Sequence, residues 1–204
     1  MNFYHDLITQ KSWGLLQRLR KQYQFILIGG WAVYLYTQAL KSKDIDLVLA
    51  YEELEKIKND FSLSKNERLK KYEARAQEAE IDIYVPYYSK LGLPVEDLEK
   101  FSISLQGFKT VKEEVLALLK QQAFQERKRS LKGRKDLIDL VSLFRLDSFD
   151  WQKYQQLASK YHLEQSLAST KELLQQTSSL KELNLNVHQT AKLKKKILSS
   201  MSSL

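Results

Sequence analysis

The segment that most constrains the fold lies near the start of the chain, where two apolar runs enclose a glycine pair. Phe25 to Ile28 is apolar and ends at Gly29 and Gly30, and Trp31 to Leu40 then returns to helical spacing. Asp44 to Ala50 alternates charged and apolar residues. These patterns predict a strand, a tight turn, a helix and a second strand, in that order.

Weaker patterns extend this core along the first half of the chain. Residues 6 to 22 and 51 to 57 place apolar side chains at helical spacing, which predicts an opening helix and a surface helix. Tyr72 to Ala76 is typical of an edge strand, and Ile81 to Val85 of a more regular strand. Phe101 to Phe108 alternates well enough to predict one last short strand.

Strand patterns stop beyond about residue 110. Val111 to Phe124 and Lys135 to Phe144 carry apolar residues in helical register. We therefore predict an α+β fold, with a small mixed β-sheet and flanking helices in residues 1–110 and a helical bundle in residues 111–204. The active site is expected in the cleft between these two parts.

Composition limits the partners and the metals that the chain could bind. It has 33 Lys and Arg against 25 Asp and Glu, a formal net charge of +8, which favours phosphate-rich partners. Cysteine is absent and the three histidines are scattered, so any metal ion would have oxygen ligands, as Mg²⁺ prefers. The first residues lack the pattern of a signal peptide, and no apolar run nears the roughly 20 residues of a membrane span. We therefore expect a cytoplasmic protein with no membrane partner.

Three aspartates in strand patterns point to phosphate chemistry. Side chains alternate along a strand, so Asp44 and Asp46 face the same way, and Asp82 occupies an equally strand-like run. If the two strands pair about 4.8 Å apart, the three carboxylates can hold two Mg²⁺ ions roughly 3.5 to 4 Å apart. One ion would activate an attacking oxygen and the other the leaving pyrophosphate. Asp44, Asp46 and Asp82 are therefore the candidate catalytic residues and metal ligands.

Gly29 and Gly30 are candidate nucleotide-binding residues. Without side chains they let a triphosphate approach the backbone, where the helix that starts near Trp31 directs its amides and its positive dipole end. Lys43, just before the aspartates, would add positive charge. Taken singly, an aspartate pair in a strand is usually solvent-facing and a glycine pair is a weaker signal still. Their order, their strand context and the third aspartate together favour catalysis.

In combination these residues resemble the polymerase-beta-like nucleotidyltransferase superfamily, particularly its small stand-alone members. Those members are related to antibiotic nucleotidyltransferases and to the nucleotidyltransferase toxins of toxin-antitoxin pairs. The resemblance rests on Gly29 to Val33, Lys41 to Asp46 and Ile81 to Ile83, and the second segment begins with Lys and Ser, as family members often do before the metal aspartates. Many members have Gly-Ser where this chain has two glycines, so one phosphate-binding hydroxyl is missing and backbone amides would serve alone.

The second half of the chain extends the resemblance, which covers roughly residues 24 to 145. Glu114 to Lys120 and Lys135 to Leu140 are similar to the pattern that follows the catalytic sheet in the toxin-like enzymes. There the helical lysines and a Lys-Asp pair face the nucleotide. The resemblance implies nucleotide-binding roles for Lys120, Lys135 and Asp136.

A basic segment between these helical patterns is a candidate nucleic-acid-binding site. Residues 127 to 135 hold six cationic side chains and no acidic one. The residues assigned to nucleic acid are Arg127, Lys128, Arg129, Lys132 and Arg134. A phosphate backbone would suit them, but a solvated connection between two helices explains the same charge run equally well.

The function that the sequence predicts is transfer of a nucleoside monophosphate from a nucleoside triphosphate, ATP or another, to a hydroxyl acceptor. The basic charge balance favours RNA as acceptor, with tRNA ends or a protein hydroxyl as specific forms, over a cationic antibiotic. A toxin that an antitoxin partner neutralises is compatible with the same chemistry. The alternative is a non-catalytic module that keeps the fold and binds nucleotide or RNA.

Overall fold

The computed structural model describes residues 4–127 and 130–201. Contacts along the chain divide it into two compact units, of which the first ends at Lys112 and the second begins at Glu113. Both units contain helices. Within the described ranges, none of these helices combines the length and the apolar character that crossing a membrane requires.

The first unit alternates helices and strands over most of its length. Its elements in chain order are α1 (Asp6–Gln22), β1 (Ile26–Ile28), α2 (Gly29–Thr37), β2 (Ile45–Val48), α3 (Tyr51–Asp60), β3 (Leu63–Asn66), β4 (Lys71–Arg75), β5 (Glu80–Tyr84), a 3₁₀ helix (Val95–Phe101), β6 (Ser102–Leu105) and β7 (Phe108–Val111). The opening helix and the strand-helix-strand order around the glycine pair are as predicted.

Within the described residues, seven strands form one mixed sheet in the order β3-β4-β5-β2-β1-β7-β6. β2 pairs with β5 and β1 with β7 in parallel, whereas the other neighbouring strands are antiparallel. The mixed pairing follows from the chain order, because elements that intervene between β2 and β5 bring the later strand back in the same direction. The predicted α+β class with a mixed sheet and flanking helices is confirmed.

Alternation in the central strands β2 and β5 separates a core face from a polar face. Four residues at the core-facing positions are completely buried: Ile45, Leu47, Ile81 and Ile83. Between them, Asp46 and Asp82 are only partly buried. Because successive side chains in a strand point to opposite faces, the hydrophobic core on one face fixes both aspartates on the other.

Helices α1 and α2 contact each other through buried aromatic side chains. Trp31 of α2 is 2% exposed, and its indole N–H donates to the Ser12 hydroxyl of α1 at 2.9 Å. The ring centroid of Trp13 lies 4.9 Å from that of Trp31. α2 ends at Thr37, and the next residue, Gln38, adopts the left-handed conformation with a φ of 52°. These contacts hold α2, and with it the glycine pair at its start, in one position.

Three details of the first unit differ from the sequence predictions. α2 begins at Gly29 rather than near Trp31, so the glycine pair forms the first turn of the helix instead of a separate turn. β4 is not an edge strand, because β3 pairs along its outer side. Phe101 to Phe108 is not one strand, since Gln106 and Gly107, both with positive φ, form a turn that separates β6 from β7.

The second unit contains helices and no strand among its described residues. Its elements are α4 (Glu113–Arg127), α5 (Leu131–Phe144), α6 (Trp151–Lys160), α7 (Glu164–Gln176), a 3₁₀ helix (Lys181–Leu183) and α8 (Val187–Ser200). Within this unit α4 packs against α5, α6 and α7. The Ser130 hydroxyl begins α5 by accepting the Gly133 N–H at 3.0 Å, and Asn186 begins α8 with a capping box.

Candidate functional site

Three acidic residues lie side by side across three neighbouring strands. Asp46 of β2 is directly opposite Asp82 of β5, and Asp82 is directly opposite Glu73 of β4. Directly paired residues direct their side chains to the same face of a sheet, and neighbouring strands are about 4.8 Å apart. The polar face of the sheet therefore carries a row of carboxylates that includes two of the predicted metal ligands.

Asp46 also lies beside the first turn of α2. Its strand pairs with β1, whose last residue, Ile28, is opposite Asp46 and leads directly into the helix. A Cβ atom placed on Gly29 would lie 2.5 Å from Cγ and 2.7 Å from Cβ of Asp46, and Gly29 has a φ of +68°. Both the space and the backbone angle exclude a side chain at this position. The Asp46 carboxylate is thereby held at the amide-rich start of α2.

Asp82 is paired with a lysine of the neighbouring strand. Nζ of Lys71 lies 2.7 Å from Oδ2 of Asp82 and 3.1 Å from Oε1 of Glu73. The side-chain amide of Asn66 in β3 donates to the same Glu73 oxygen at 2.9 Å. The side chains of Lys71 and Asp82 are 11% and 20% exposed, so this ion pair is largely removed from solvent. Polar contacts thus run from β3 through β4 to the aspartate of β5.

Burial and these contacts shift the pKa values of the three charged groups. Burial raises the pKa of the Asp82 carboxyl, the charges of Asp44 and Glu73 raise it further, and Lys71 offsets only part of this. Burial would lower the pKa of Lys71, but its pairs with Asp82 and Glu73 raise it above the ordinary value. Burial would likewise raise the pKa of Glu73, yet the bonds from Lys71 and Asn66 lower it. Burial is thus the largest cause of the raised pKa of Asp82.

Asp44 lies just before β2 and belongs to the same acidic region. Its carboxylate is 3.7 Å from Nζ of Lys43, and its side chain is 18% exposed. The charge of Asp44 acts on Asp82, as the pKa of that residue reflects. The Lys43 ammonium also lies 5.8 Å from the ring centroid of Tyr4. The sequence-predicted residues Asp44 and Lys43 are therefore neighbours at the entry to β2.

The donor atoms of this region match the preference of Mg²⁺. Carboxylate oxygens are hard ligands, and Asp46 and Asp82 supply them from one face of the sheet with Asp44 close by. Within the described ranges, no group of three Asp, Glu or His side chains is arranged to hold a metal ion as it stands. Asp82 instead contacts the ammonium of Lys71. The carboxylate oxygens of Asp44, Asp46 and Asp82 thus fit Mg²⁺ as ligands, and these side chains would have to rotate toward a bound ion.

The residues that the resemblance assigned to the nucleotide form a buried ion-pair network in the second unit. Nζ of Lys120 in α4 lies 3.2 Å from Oδ1 of Asp136 and 2.8 Å from Oδ2 of Asp139 in α5. Nζ of Lys135 lies 2.9 Å from the same Asp139 oxygen. Arg127 donates to both carboxylate oxygens of Asp136, at 2.7 and 3.1 Å. The structure thus brings Lys120, Lys135 and Asp136 together, with Asp139 as the carboxylate that joins Lys135 to Lys120.

This network is charged although it is almost fully enclosed. Lys120, Lys135, Asp136 and Asp139 are each at most 6% exposed. Burial lowers the pKa of Lys135 in spite of Asp139, whereas Lys120 and Arg127 lower the pKa of Asp136 against the effect of burial. Among the described residues, Oδ1 of Asp139 has no hydrogen-bond partner. A buried oxygen without a partner is uncommon and marks a site with unused polar capacity.

In the basic segment that was predicted to bind nucleic acid, Arg127 and Arg134 have partners within the protein. Arg127 belongs to the buried network, and Arg134 donates to both carboxylate oxygens of Glu182 at 2.8 Å. Lys132 is exposed in the first turn of α5. Outside the described residues lie Lys128 and Arg129. The charges of Arg127 and Arg134 are therefore accounted for without a nucleic acid.

Lys71 and Glu73 are not among the residues that the sequence predicts for these sites, and Asp139 was assigned no role. Lys71 and Glu73 alternate along β4 and so share one face, but the sequence does not give the register that brings them to Asp82. Asp139 follows Lys135 by four residues, which is the helical spacing of an ion pair. That spacing was the available signal for Asp139, whereas the contacts of Lys71 required the strand pairing.

Comparisons with known proteins bear on the fold. No family model matches the sequence, and no curated protein matches it. The structure is similar to that of JHP933 from Helicobacter pylori, with a TM-score of 0.51 and 16% identity, over 95% of this chain and 91% of that one. It is also similar to a protein from H. pylori described as a "putative nucleotidyltransferase", with a TM-score of 0.50 and 16% identity, over 96% and 95% of the two chains.

A third solved structure, an antigenic nucleotidyltransferase-like protein from Paracoccidioides brasiliensis, aligns with a TM-score of 0.42 and 19% identity, over 81% of this chain and 92% of that one. At identities this low a structural likeness concerns the fold and leaves the activity open. The two H. pylori proteins match nearly the whole chain, across both of its units. The chain therefore has a nucleotidyltransferase-like fold, as the resemblance of its glycine and aspartate segments predicted.

Proposed function

We propose that this protein transfers a nucleoside monophosphate from a nucleoside triphosphate to a hydroxyl group, with Mg²⁺ as the required ion. One observation carries the proposal: Asp46 and Asp82 are directly opposite each other in β2 and β5, on the polar face of the sheet. This register supports the proposal because it puts two carboxylates one strand spacing apart and beside the start of α2. The nucleotidyltransferase-like fold is the setting in which such a pair is expected.

The aspartates of the first unit would divide the chemical roles. Asp44, Asp46 and Asp82 would hold two Mg²⁺ ions, which supply charge neutralisation at the attacking oxygen and the leaving pyrophosphate when bound. Asp82 would also accept the proton of the acceptor hydroxyl. Burial raises the pKa of this carboxyl, which brings it closer to the range that suits a general base.

The triphosphate would bind at the start of α2. The first amides of a helix have no partner within the helix and carry its positive dipole end, which suits an anion. Gly29 and Gly30 form this first turn. Gly30 is buried, whereas Gly29 is partly exposed and has the Asp46 carboxylate against it, so a phosphate would approach the turn beside this carboxylate. Lys43, at the entry to β2, would add a cation to the same region.

The buried network of the second unit is proposed, on its own residues, to bind triphosphate. The resemblance assigns this role to Lys120 and Lys135, with Asp136 as a partner that orients Lys135 or a base. In the described contacts three cations share two carboxylates, so the network carries one net positive charge, which favours a phosphate. The orphaned oxygen of Asp139 would accept a hydrogen bond from a ribose hydroxyl, a base or a water molecule.

RNA is the acceptor that the charge balance favours. The net charge of +8 suits a polyanion and opposes a cationic antibiotic. A tRNA end or a protein hydroxyl remains a specific form of the acceptor, and an antitoxin partner belongs to the same proposal. Growth arrest on expression that disappears with Asp46→Ala would support a toxin role, whereas arrest that persists in this variant would contradict it.

The proposal is tested by incubating the protein with each α-labelled nucleoside triphosphate, Mg²⁺ and a total RNA pool. We expect label to become covalently attached to RNA or to protein, and Asp44→Ala to reduce this to less than a few per cent with an unchanged circular dichroism spectrum. Glu55→Ala is the matched control, since it removes an exposed carboxylate of α3. A variant Asp44→Ala that keeps more activity than this would refute the assignment.

A non-catalytic nucleotide- or RNA-binding module is the second candidate function. The ion pair between Lys71 and Asp82 favours it, because it neutralises one of the three carboxylates that metal-dependent transfer needs. This candidate predicts nucleotide binding with no covalent label under any of the conditions above. Label transfer that depends on Asp44 would exclude it.

A further inference from the structure

A lysine contacts the third aspartate of the candidate active site, on the side from which β4 approaches. We propose that Lys71 is the built-in counterion of Asp82 and that it weakens the binding of a divalent ion at this carboxylate. The inference rests on the proposed function, because it concerns the same ions. It adds a residue that neither the motifs nor the resemblance assigns, and it gives that residue a role in controlling when the metal site is complete.

The contacts of Lys71 are fixed by three paired strands. Nζ lies 2.7 Å from Asp82 and 3.1 Å from Glu73, and the register puts these two acids directly opposite each other. Asn66, in the next strand, donates to Glu73 at 2.9 Å and so holds the second acid in place. With a side chain only 11% exposed, Lys71 lies in the acidic row rather than above it in solvent.

An ammonium group and a divalent cation compete for the same carboxylate. An ion bound at Asp82 would lie within a few ångströms of Nζ, where two positive charges repel each other strongly in a partly buried site. Lys71 must therefore turn away before Asp82 can act as a metal ligand, or the ion binds more weakly. The repulsion acts most strongly at Asp82, because Lys71 contacts this carboxylate directly.

Glu73 is a second ion-pair partner for Lys71 when the lysine moves away from Asp82. Because Nζ already lies 3.1 Å from Glu73, a small rotation of the lysine side chain would release Asp82 while one ion pair is kept. The carboxylate row would then pass from a closed state, with Lys71 on Asp82, to an open state with Lys71 on Glu73. Nucleotide-bound metal entering beside Asp46 is the event that would favour the open state.

Binding of Mn²⁺ alone tests the inference without any activity measurement. Free Mn²⁺ is followed by electron paramagnetic resonance while wild type, Lys71→Met, Lys71→Arg and Lys65→Met are titrated. We expect Lys71→Met to bind Mn²⁺ about tenfold more tightly, since removing one unit charge at ion-pair distance is worth at least one order of magnitude in affinity. Lys71→Arg keeps the charge and should match wild type.

Two controls make the result specific. Lys65→Met removes a cation from the same β3-β4 hairpin, where it pairs with Glu67, and should leave Mn²⁺ affinity unchanged. Asp82→Asn, added to Lys71→Met, should abolish the gain. Equal affinity of Lys71→Met and wild type, with wild-type binding that is lost in Asp46→Asn, would overturn the role of Lys71 alone. Absence of Mn²⁺ binding in every variant would overturn the metal site of the proposed function as well.

Discussion

Gly29→Ala tests whether Asp46 really lies against the first turn of α2. The new Cβ would lie 2.5 Å from Cγ and 2.7 Å from Cβ of Asp46, closer than nonbonded carbon atoms approach. Gly29 also has a φ of +68°, which is the left-handed region. Alanine at this position is therefore destabilising for two reasons: the backbone angle disfavours any side chain, and the new methyl group clashes with the aspartate that the proposed mechanism needs.

The two effects together set the expected loss of stability in Gly29→Ala. A residue other than glycine in the left-handed conformation costs about 1 kcal/mol, and forcing an extra methyl group into a packed site costs about 2 kcal/mol. The sum of about 3 kcal/mol corresponds to a fall of roughly 6–12 °C in Tm for a chain of this size. The Asp46 carboxylate would also be displaced, so nucleotidyl transfer should fall by about a hundredfold or more.

Thermal unfolding followed by circular dichroism, together with the labelling assay, measures both effects. Gly14→Ala is the matched control, because a Cβ on this residue of α1 meets no atom within 4 Å. Alanine is a better helix former than glycine, so this control should raise stability by about 0.5–1 kcal/mol. A Gly29→Ala protein that unfolds within a degree of wild type would refute the close approach of Asp46 to α2.

Four further predictions follow from the two sites and from the net charge. Asp46→Asn should reduce the rate of nucleotidyl transfer by at least about a hundredfold with a Tm close to that of wild type, since a partly buried carboxylate becomes an amide of the same shape. A large fall in Tm would show instead that Asp46 is needed for folding. Asp136→Asn should destabilise the protein by about 3 kcal/mol in urea titrations, because it leaves Lys120 and Arg127 without a shared carboxylate. The pKa of Asp136 lies below its ordinary value of 3.8, so the ionised carboxylate stabilises the fold above pH 4 and this stabilisation is lost as the pH falls further. The free energy of unfolding should therefore depend less on pH below pH 4 in Asp136→Asn than in wild type. Equal slopes in the two proteins would contradict the ion pairs of Asp136. RNA binding should weaken steeply between 50 and 200 mM salt, by about tenfold or more in filter binding, and indifference to salt would favour a small-molecule or protein acceptor.

The central part of the fold could be predicted because its residues alternate clearly. Ile45 and Leu47 have one environment and Asp46 another, so the sequence alone indicates both the strand and the side that each residue faces. The glycine pair likewise marks the point where β1 ends. Strong local patterns of this kind are preserved in the structure, because burial of one face requires them.

The edge of the sheet could not be predicted, because nothing local distinguishes its strands. Leu63–Asn66 mixes polar and charged residues, and its place as β3 depends on pairing with β4 rather than on its own composition. The contact of Lys71 with Asp82 depends on the same pairing. A shift of one residue would have turned Lys71 to the opposite face, and only long-range register excludes this.

The buried network of the second unit is poorly explained by stability alone. Removing two lysines and two aspartates from water costs several kcal/mol for each charge, and apolar residues of similar volume often give an equally stable protein. The network also leaves Oδ1 of Asp139 without a hydrogen-bond partner among the described residues, and burial lowers the pKa of Lys135. A site that only held α4 and α5 together would be more stable without the unpaired oxygen and without the buried lysine. A site that receives a polar ligand accounts for the orphaned oxygen, since that oxygen can accept a hydrogen bond from the ligand while the surrounding ion pairs hold it at a fixed position.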